Sequence, residues 1–385
     1  MIEPSIISQC VKPSLTRKLF NMAKEFDDVV DFTLGDPDVP TPKAVQTAGC
    51  AAILAGKTRY SQNAGLLPLR QTISNYYFDK EGLFYNADNE IIVTVGAMEG
   101  LYLALLSLVN PGDEVIIPAP YYVNYAQMVY MCHGKPVIID NPEADELSFN
   151  VEDIEQAVTD KTKAIIINTP SNPTGKIVAW DKIKAIADIA VKNDLVVISD
   201  EVYKCLIYDN QQFKSIATID EMRERTILVN SLSKEFCMTG WRIGYVLAPK
   251  IVVDTMTKLQ ENVCACAPLP SQYAAIEALS GKDYSSQMKE IFRRRRDVLV
   301  NGINGIKGLS CNVPEATFYL MVNISQIGMN SEEFAIELLK SVHVALVPGI
   351  TYGTSCDKYV RIAFTLDEDK IKEGVSRIKK FVESL

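Results

Sequence analysis

A chain of 385 residues, 48% hydrophobic and 23% charged, with mean hydropathy near zero, has the composition of a globular protein long enough for two or three domains. Its net charge of −9 argues against a general nucleic-acid binder, which needs a basic face to meet phosphate. The longest apolar runs, such as residues 101–109, fall well short of the ~18 residues that cross a bilayer, so no membrane span is expected.

The first forty residues end in a proline-rich loop from Gly35 to Pro42, which suits a cleft-lining connection better than a core element. Between about residues 90 and 250, short β-branched runs alternate with helix-periodic segments. The predicted strands are Ile91–Val95, Val115–Ile117, Val137–Ile139, Ala164–Ile167, Val196–Ser199 and Ile227–Asn230. Helical spacing runs from Glu99 to Val109 and from Asp181 to Lys192. This predicts an α/β domain with a mostly parallel sheet covered by helices.

After about residue 280 the pattern changes. A charged helix through Arg293–Arg296 precedes a strand at Phe318–Asn323 and a helix at Ser331–Lys340 opened by a capping serine. Strands at Val344–Val347 and Tyr359–Phe364 and a closing helix at Asp369–Val382 follow. The predicted division is a large α/β domain over residues 40–280, with a smaller α+β domain built from residues 1–39 and 281–385. The four arginines read as a solvated or ion-paired helix face.

Nine cysteines, an odd count with no CxxC pair, and no signal-like N-terminus lead to an expectation of reduced thiols in a cytoplasmic protein. The two histidines, His133 and His343, lie far apart, so neither a metal site nor a Cys/His nucleophile pair is expected. No GxGxxG follows a strand, and Gly56-Lys57-Thr58 lacks the partner glycine of a phosphate loop.

Several short segments could carry chemistry. Gly96-Ala97-Met98 follows a strand and opens a helix, where backbone N–H groups can meet an anion, although such turns are often only structural. Ser171-Asn172-Pro173-Thr174-Gly175 presents an amide beyond a strand's carboxyl end, either for a ligand or as an ordinary turn. Asp200, in Ser199-Asp200-Glu201-Val202-Tyr203, either caps the next segment or meets a cationic or N–H partner such as a protonated heterocycle. Ser231-Leu232-Ser233-Lys234 and the later Gly240-Trp241-Arg242-Ile243-Gly244 could hold a phosphate while offering an amine to a carbonyl. Arg361 interrupts an apolar strand, so it serves either an internal salt bridge or a bound carboxylate.

Taken together and in this order, these motifs resemble the fold-type-I pyridoxal 5'-phosphate (PLP) aminotransferases, the family of the aspartate and aromatic enzymes. The resemblance spans essentially the whole chain. It implies that Lys234 bonds PLP covalently and shuttles the substrate's Cα proton, that Asp200 partners the pyridine nitrogen, and that Tyr203 and Asn172 hydrogen-bond the phenolic oxygen. Tyr122 is similar to the aromatic residue stacked on the ring. Ser231, Ser233, Arg242 and the backbone of Gly96, Ala97 and Met98 resemble the phosphate cup. Arg361 is similar to the arginine that grips the substrate α-carboxylate, helped by Asn172 and Gly35. Tyr60 matches a tyrosine that reaches the phosphate from a neighbouring subunit, implying a homodimer with shared active sites.

The implied activity is ping-pong transfer of an amino group from an L-amino acid (aspartate, aromatic or other neutral) to a 2-oxo acid such as 2-oxoglutarate. A carbon–sulfur β-lyase on the same fold is the nearest alternative, and a non-enzymatic PLP-sensing regulator domain a more distant one. Two positions depart from the pattern: Met98 stands where relatives often carry Thr or Ser, and Tyr122 where tryptophan is frequent. Tyr125, Pro268–Gln272 and Phe318 are expected to line the substrate pocket.

Overall fold

The computed structural model describes residues 2–141 and 147–385. Its twelve strands in chain order are β1 (Val30–Asp31), β2 (Ile91–Thr94), β3 (Glu114–Pro118), β4 (Lys135–Ile139), β5 (Thr162–Asn168), β6 (Val196–Asp200), β7 (Thr226–Ser231), β8 (Gly244–Leu247), β9 (Tyr319–Asn323), β10 (Val344–Ala345), β11 (Val347–Pro348) and β12 (Tyr359–Ala363). Seven of them form one sheet in the order β2-β8-β7-β6-β5-β3-β4. Only β8 runs against its neighbours.

This mixed α/β architecture with a mostly parallel sheet matches the sequence expectation. The reason is legible in β5, whose Ile165, Ile166 and Ile167 are all buried because helices cover both faces. Helix Gly96–Leu108 buries Leu101, Leu103 and Leu105 on one side, and helix Trp180–Lys192 buries Ile183, Ile186 and Ile189 on the other. β8 was not anticipated. Its residues Gly244-Tyr245-Val246-Leu247 sit directly behind the Arg242 motif, and four residues carry little periodicity of their own.

The remaining strands form a two-stranded parallel sheet, β1-β10, and a three-stranded antiparallel sheet, β11-β12-β9. The anticipated single strand at Val344–Val347 is therefore two short ones, β10 and β11, in different sheets. A shared core of Leu19, Phe32, Phe292, Phe318, Phe334, Phe364 and Phe381 joins the N-terminal segment to the C-terminal third. The helix Ser331–Val342 is capped by Asn330 rather than by Ser331, because the Asn330 side chain accepts the Glu333 N–H and Glu333 reaches back to the Asn330 N–H.

The arginine run divides. Arg293 and Arg294 are surface groups, and Arg293 pairs with Glu290 at 2.8 Å. Arg295 and Arg296 are buried. Arg295 holds Asp38 with two bonds of 2.6 and 2.9 Å, and Arg296 pairs with Asp209 and Asp297. Burial is possible because each guanidinium has a carboxylate partner. The Arg295 fork also ties the Gly35–Pro42 loop to the helix Ser285–Asn304.

Candidate active site

Strands β5, β6 and β7 end at Asn168, Asp200 and Ser231, and the antiparallel β8 starts at Gly244 on the same sheet edge. Side chains just beyond these ends converge because the parallel register puts them side by side. They open on a cleft of about 610 Å³. It is lined by Gly35, Ala97, Met98, Tyr122, Asn172, Asp200, Tyr203, Ser231, Ser233, Lys234, Arg242 and Arg361. Twelve of the fourteen anticipated site residues thus share one cavity. Gly96 lies just behind the wall, and Tyr60 is 86% exposed and does not line the cleft.

Lys234 sits on a four-residue helix, Leu232–Glu235, capped by Ser231, whose Oγ accepts the Ser233 N–H at 3.0 Å. That short turn after a strand carries the amine into the cleft, where Nζ donates to the Gly35 carbonyl at 2.7 Å. Burial lowers its pKa to about 8, Arg242 and Arg361 push the same way, and Asp36 opposes them. Buried Asp200 shows the opposite effect: loss of solvent raises its pKa to about 6, against the Tyr125 hydroxyl, the Val202 N–H and the charge of Lys234.

Arg242 adopts a left-handed backbone, φ +51°, which turns its side chain back over Gly96. Among the described residues its guanidinium donates only to backbone carbonyls, of Thr239 at 2.8 Å and Val95 at 3.5 Å. Gly96 itself has φ +77°, and a Cβ there would stand 2.5 Å from Arg242 Nη2. Ser231, Ser233, Arg242 and the start of helix Gly96–Leu108 therefore form a cradle of donors suited to a phosphate.

Arg361, on β12, is 5% exposed. Nη1 donates to Asn172 Oδ1 at 3.1 Å and Nη2 to the Thr33 carbonyl at 2.5 Å, while Nε has no partner among the described residues. The guanidinium carbon lies 4.4 Å from the centre of the Tyr319 ring. No internal carboxylate pairs with it among the described residues, so the salt-bridge alternative has no acid. A buried, incompletely bonded fork is suited to an incoming carboxylate.

Three groups at the site carried no clear signal in the sequence. Tyr319 faces Tyr203 with 3.1 Å between hydroxyls, and its ring packs under Arg361. Tyr352 lines the cleft from the short 3-10 helix Gly349–Tyr352 that follows β11. Ser14, Thr16, Arg17 and Phe20 line it from in and around the helix Leu15–Ala23. Met98 does not simply lack a hydroxyl: its sulfur lies 3.6 Å from both Tyr122 Oη and Asn124 Nδ2. Tyr125 lines the cleft as expected, and Phe318 lies beneath it, its ring centre 5.4 Å from Lys234 Nζ. The Pro268–Gln272 segment does not line the cleft; Gln272 instead accepts the Leu66 N–H at 2.7 Å and donates to the Ala267 carbonyl.

The family described as aminotransferase class I and II matches residues 27–378. The chain belongs to this family. It is 39% identical over 375 residues to an aspartate aminotransferase of Pyrococcus abyssi, covering 96% of each chain. It is 36% identical to the aromatic-amino-acid aminotransferase 2 of Thermococcus litoralis, with 97% of each chain covered. Among solved structures, the Thermus thermophilus aspartate aminotransferase with maleate superposes with a TM-score of 0.93, at 33% identity, over 99% of this chain and 100% of that one. The fold is that of the fold-type-I aminotransferases, and the protein is an enzyme that transfers amino groups. The class I and II family is PLP-dependent. Among the described residues, no group of three or more His, Cys, Asp or Glu is placed to hold a metal, and no helix is long and apolar enough to cross a membrane.

Proposed function

We propose that this aminotransferase binds PLP in the 610 Å³ cleft and moves an amino group from an L-amino acid to a 2-oxo acid such as 2-oxoglutarate. One observation carries the reading: a buried amine, a buried carboxylate and two arginines, Arg242 and Arg361, without acidic partners among the described residues face one cavity. The donor set fits the cofactor, with a cradle of phosphate donors at one end and a buried carboxylate, Asp200, available for a protonated ring nitrogen. When bound, PLP supplies an electron sink that makes a substrate Cα proton removable.

Each residue then has a defined task. Arg242, Ser231, Ser233 and the Gly96-Ala97-Met98 backbone hold the phosphate. Asp200 would keep the ring nitrogen protonated, Asn172 and Tyr203 would donate to the phenolic oxygen, and Tyr122 would pack on the ring face. Arg361 binds the α-carboxylate with a two-pronged contact that fixes which Cα bond can break. Lys234 Nζ would hold the cofactor covalently and would serve as the general base and acid that takes the substrate Cα proton and gives it back.

Tyr60 completes the phosphate site of a second copy in a homodimer, which accounts for a tyrosine left 86% exposed in the single chain. The domain division of residues 40–280 from residues 1–39 and 281–385 belongs to the same reading, as does a cytoplasmic location, with which nine free cysteines are compatible.

The test is an assay of purified, PLP-loaded protein with a panel of amino donors and 2-oxoglutarate. Glutamate formation that depends on the acceptor supports the reading. Pyruvate and ammonia released without any acceptor would overturn it in favour of a lyase.

A further inference from the structure

Tyr319, the first residue of β9, and Tyr203, in the turn after β6, are both buried and both line the cleft. Their hydroxyls lie 3.1 Å apart, and among the described residues neither hydroxyl has another hydrogen-bond partner. The Tyr319 ring is fixed from two further sides. The Arg361 guanidinium carbon lies over it, 4.4 Å from the ring centre. Its hydroxyl sits against Gly35, where a Cβ would stand 1.8 Å from the Tyr319 oxygen, so only a residue without a side chain leaves room for it. The carbonyl of that same Gly35 accepts from Lys234 Nζ at 2.7 Å. One phenol therefore touches Tyr203, Arg361 and the residue that holds the Lys234 amine.

Geometry alone lets either hydroxyl donate, and the surrounding charge decides between them. Loss of solvent pushes both hydroxyls above the usual tyrosine pKa. At Tyr319 the Arg361 cation opposes that rise, whereas at Tyr203 the Asp200 carboxylate adds to it. Tyr319 is the stronger acid of the pair and hence the better donor. Tyr203 then accepts through its oxygen, and its own proton is left to point away from Tyr319. A hydroxyl that accepts one hydrogen bond is polarised into a stronger donor of the next.

We infer that Tyr319 is a positioning residue acting through Tyr203: its O–H donates to the Tyr203 oxygen, which aims the Tyr203 hydroxyl into the cleft and strengthens it as a donor. The inference rests on the reading of this cleft as a PLP site with Tyr203 toward the phenolic oxygen. A stronger donor to that oxygen favours the more negative, deprotonated state of the bound cofactor, whose visible absorbance therefore titrates at lower pH. Loss of the Tyr319 hydroxyl moves the titration up.

The experiment loads PLP into the unmodified protein, Tyr319→Phe, Tyr203→Phe and the double variant, and follows the absorbance of the bound cofactor as a function of pH. Phenylalanine keeps the ring beneath Arg361, so only the hydroxyl is lost at position 319. Tyr319→Phe should raise the titration midpoint by roughly half a unit, the scale of one neutral hydrogen bond. Tyr203→Phe should raise it further, and in that background the second substitution should add nothing, because the relay has already lost its middle member. A residue that only packs would leave the midpoint in place or shift it equally in both backgrounds. Either of those results would overturn the inference while leaving the proposed function standing. Failure of the unmodified protein to take up PLP would instead sink the proposed function, and the relay with it. Near-ultraviolet circular dichroism checks that the variants keep the native packing.

Discussion

Tyr125 donates its hydroxyl to Oδ2 of Asp200 across 2.7 Å, and both side chains are buried at the cleft floor. The bond matters because Asp200 has little else to offset its loss of water. Only the Val202 N–H at 3.3 Å and the charge of Lys234 act in the same direction. The carboxylate is therefore poised near pH 6, charged above and neutral below.

Tyr125→Phe should move that balance. Removing a donor that favours the charged form raises the Asp200 pKa further, so protonation reaches higher pH. The ring, and its edge contact with Tyr122 at 5.5 Å, is kept. PLP affinity of the apoprotein should fall at pH 6 and recover toward the unmodified value at pH 8. Titrating PLP at both pH values checks this; an identical pH dependence in the two proteins would rule out the coupling.

Lys234→Met tests the cost of a buried ammonium. Burial lowers the folded-state pKa to about 8, below the usual lysine value, so the unfolded chain binds more protons between the two. Stability of the apoprotein therefore rises with pH across that interval, and the full penalty applies below about pH 8. Methionine removes it. The variant apoprotein should melt higher than the unmodified one at pH 7, with the gap narrowing toward pH 10, and borohydride should fix no cofactor to it. A pH-independent gap would contradict the assigned shift.

Gly96→Ala separates cradle geometry from charge. The position needs φ +77°, which costs a non-glycine residue about 1 kcal/mol or more. The added methyl also stands 2.5 Å from Arg242 Nη2, so the guanidinium must leave its place over the helix start. Phosphate-end binding should suffer first: the Kd for PLP rises at least about tenfold, with a smaller loss in urea stability. Unchanged PLP affinity would show that Arg242 and the Gly96 turn do not act together.

Much of this site was legible because the large sheet speaks locally. β-branched runs such as Ile165-Ile166-Ile167 announce buried parallel strands, and the motifs at their carboxyl ends fall on one edge once the strands align. What escaped depends on contacts distant in sequence. Tyr319 meets Tyr203 across 116 residues, and Arg295 meets Asp38 across 257. Neither partner advertises the other, so the four arginines read as a solvated or ion-paired helix face, and the ion pairs are there, but the burial of Arg295 and Arg296 was not legible. The cleft-lining role of Arg17 is likewise set by where its helix docks, which its own amphipathic pattern does not encode.

Glu201, next to Asp200, supplies a final prediction. It is fully buried, accepts the hydroxyls of Ser199 at 3.0 Å and Ser215 at 2.6 Å, and leaves Oε2 without a partner among the described residues. Lys204 is the buried cation of this region, and it pairs directly with Glu81. Burial, partly countered by Lys204 and reinforced by Glu81, pushes the Glu201 pKa above the ordinary carboxylate range. The folded protein then holds a proton that the unfolded chain releases, so stability falls as pH rises from the unfolded carboxylate value through the folded one. Glu201→Gln mimics the protonated form and keeps the two hydroxyl contacts. It should stabilise the protein at pH 8 relative to the parent and make little difference at pH 5, as read from urea midpoints at the two pH values. Equal effects at both would mean that Glu201 is ionised throughout and that its charge is fully balanced by Lys204.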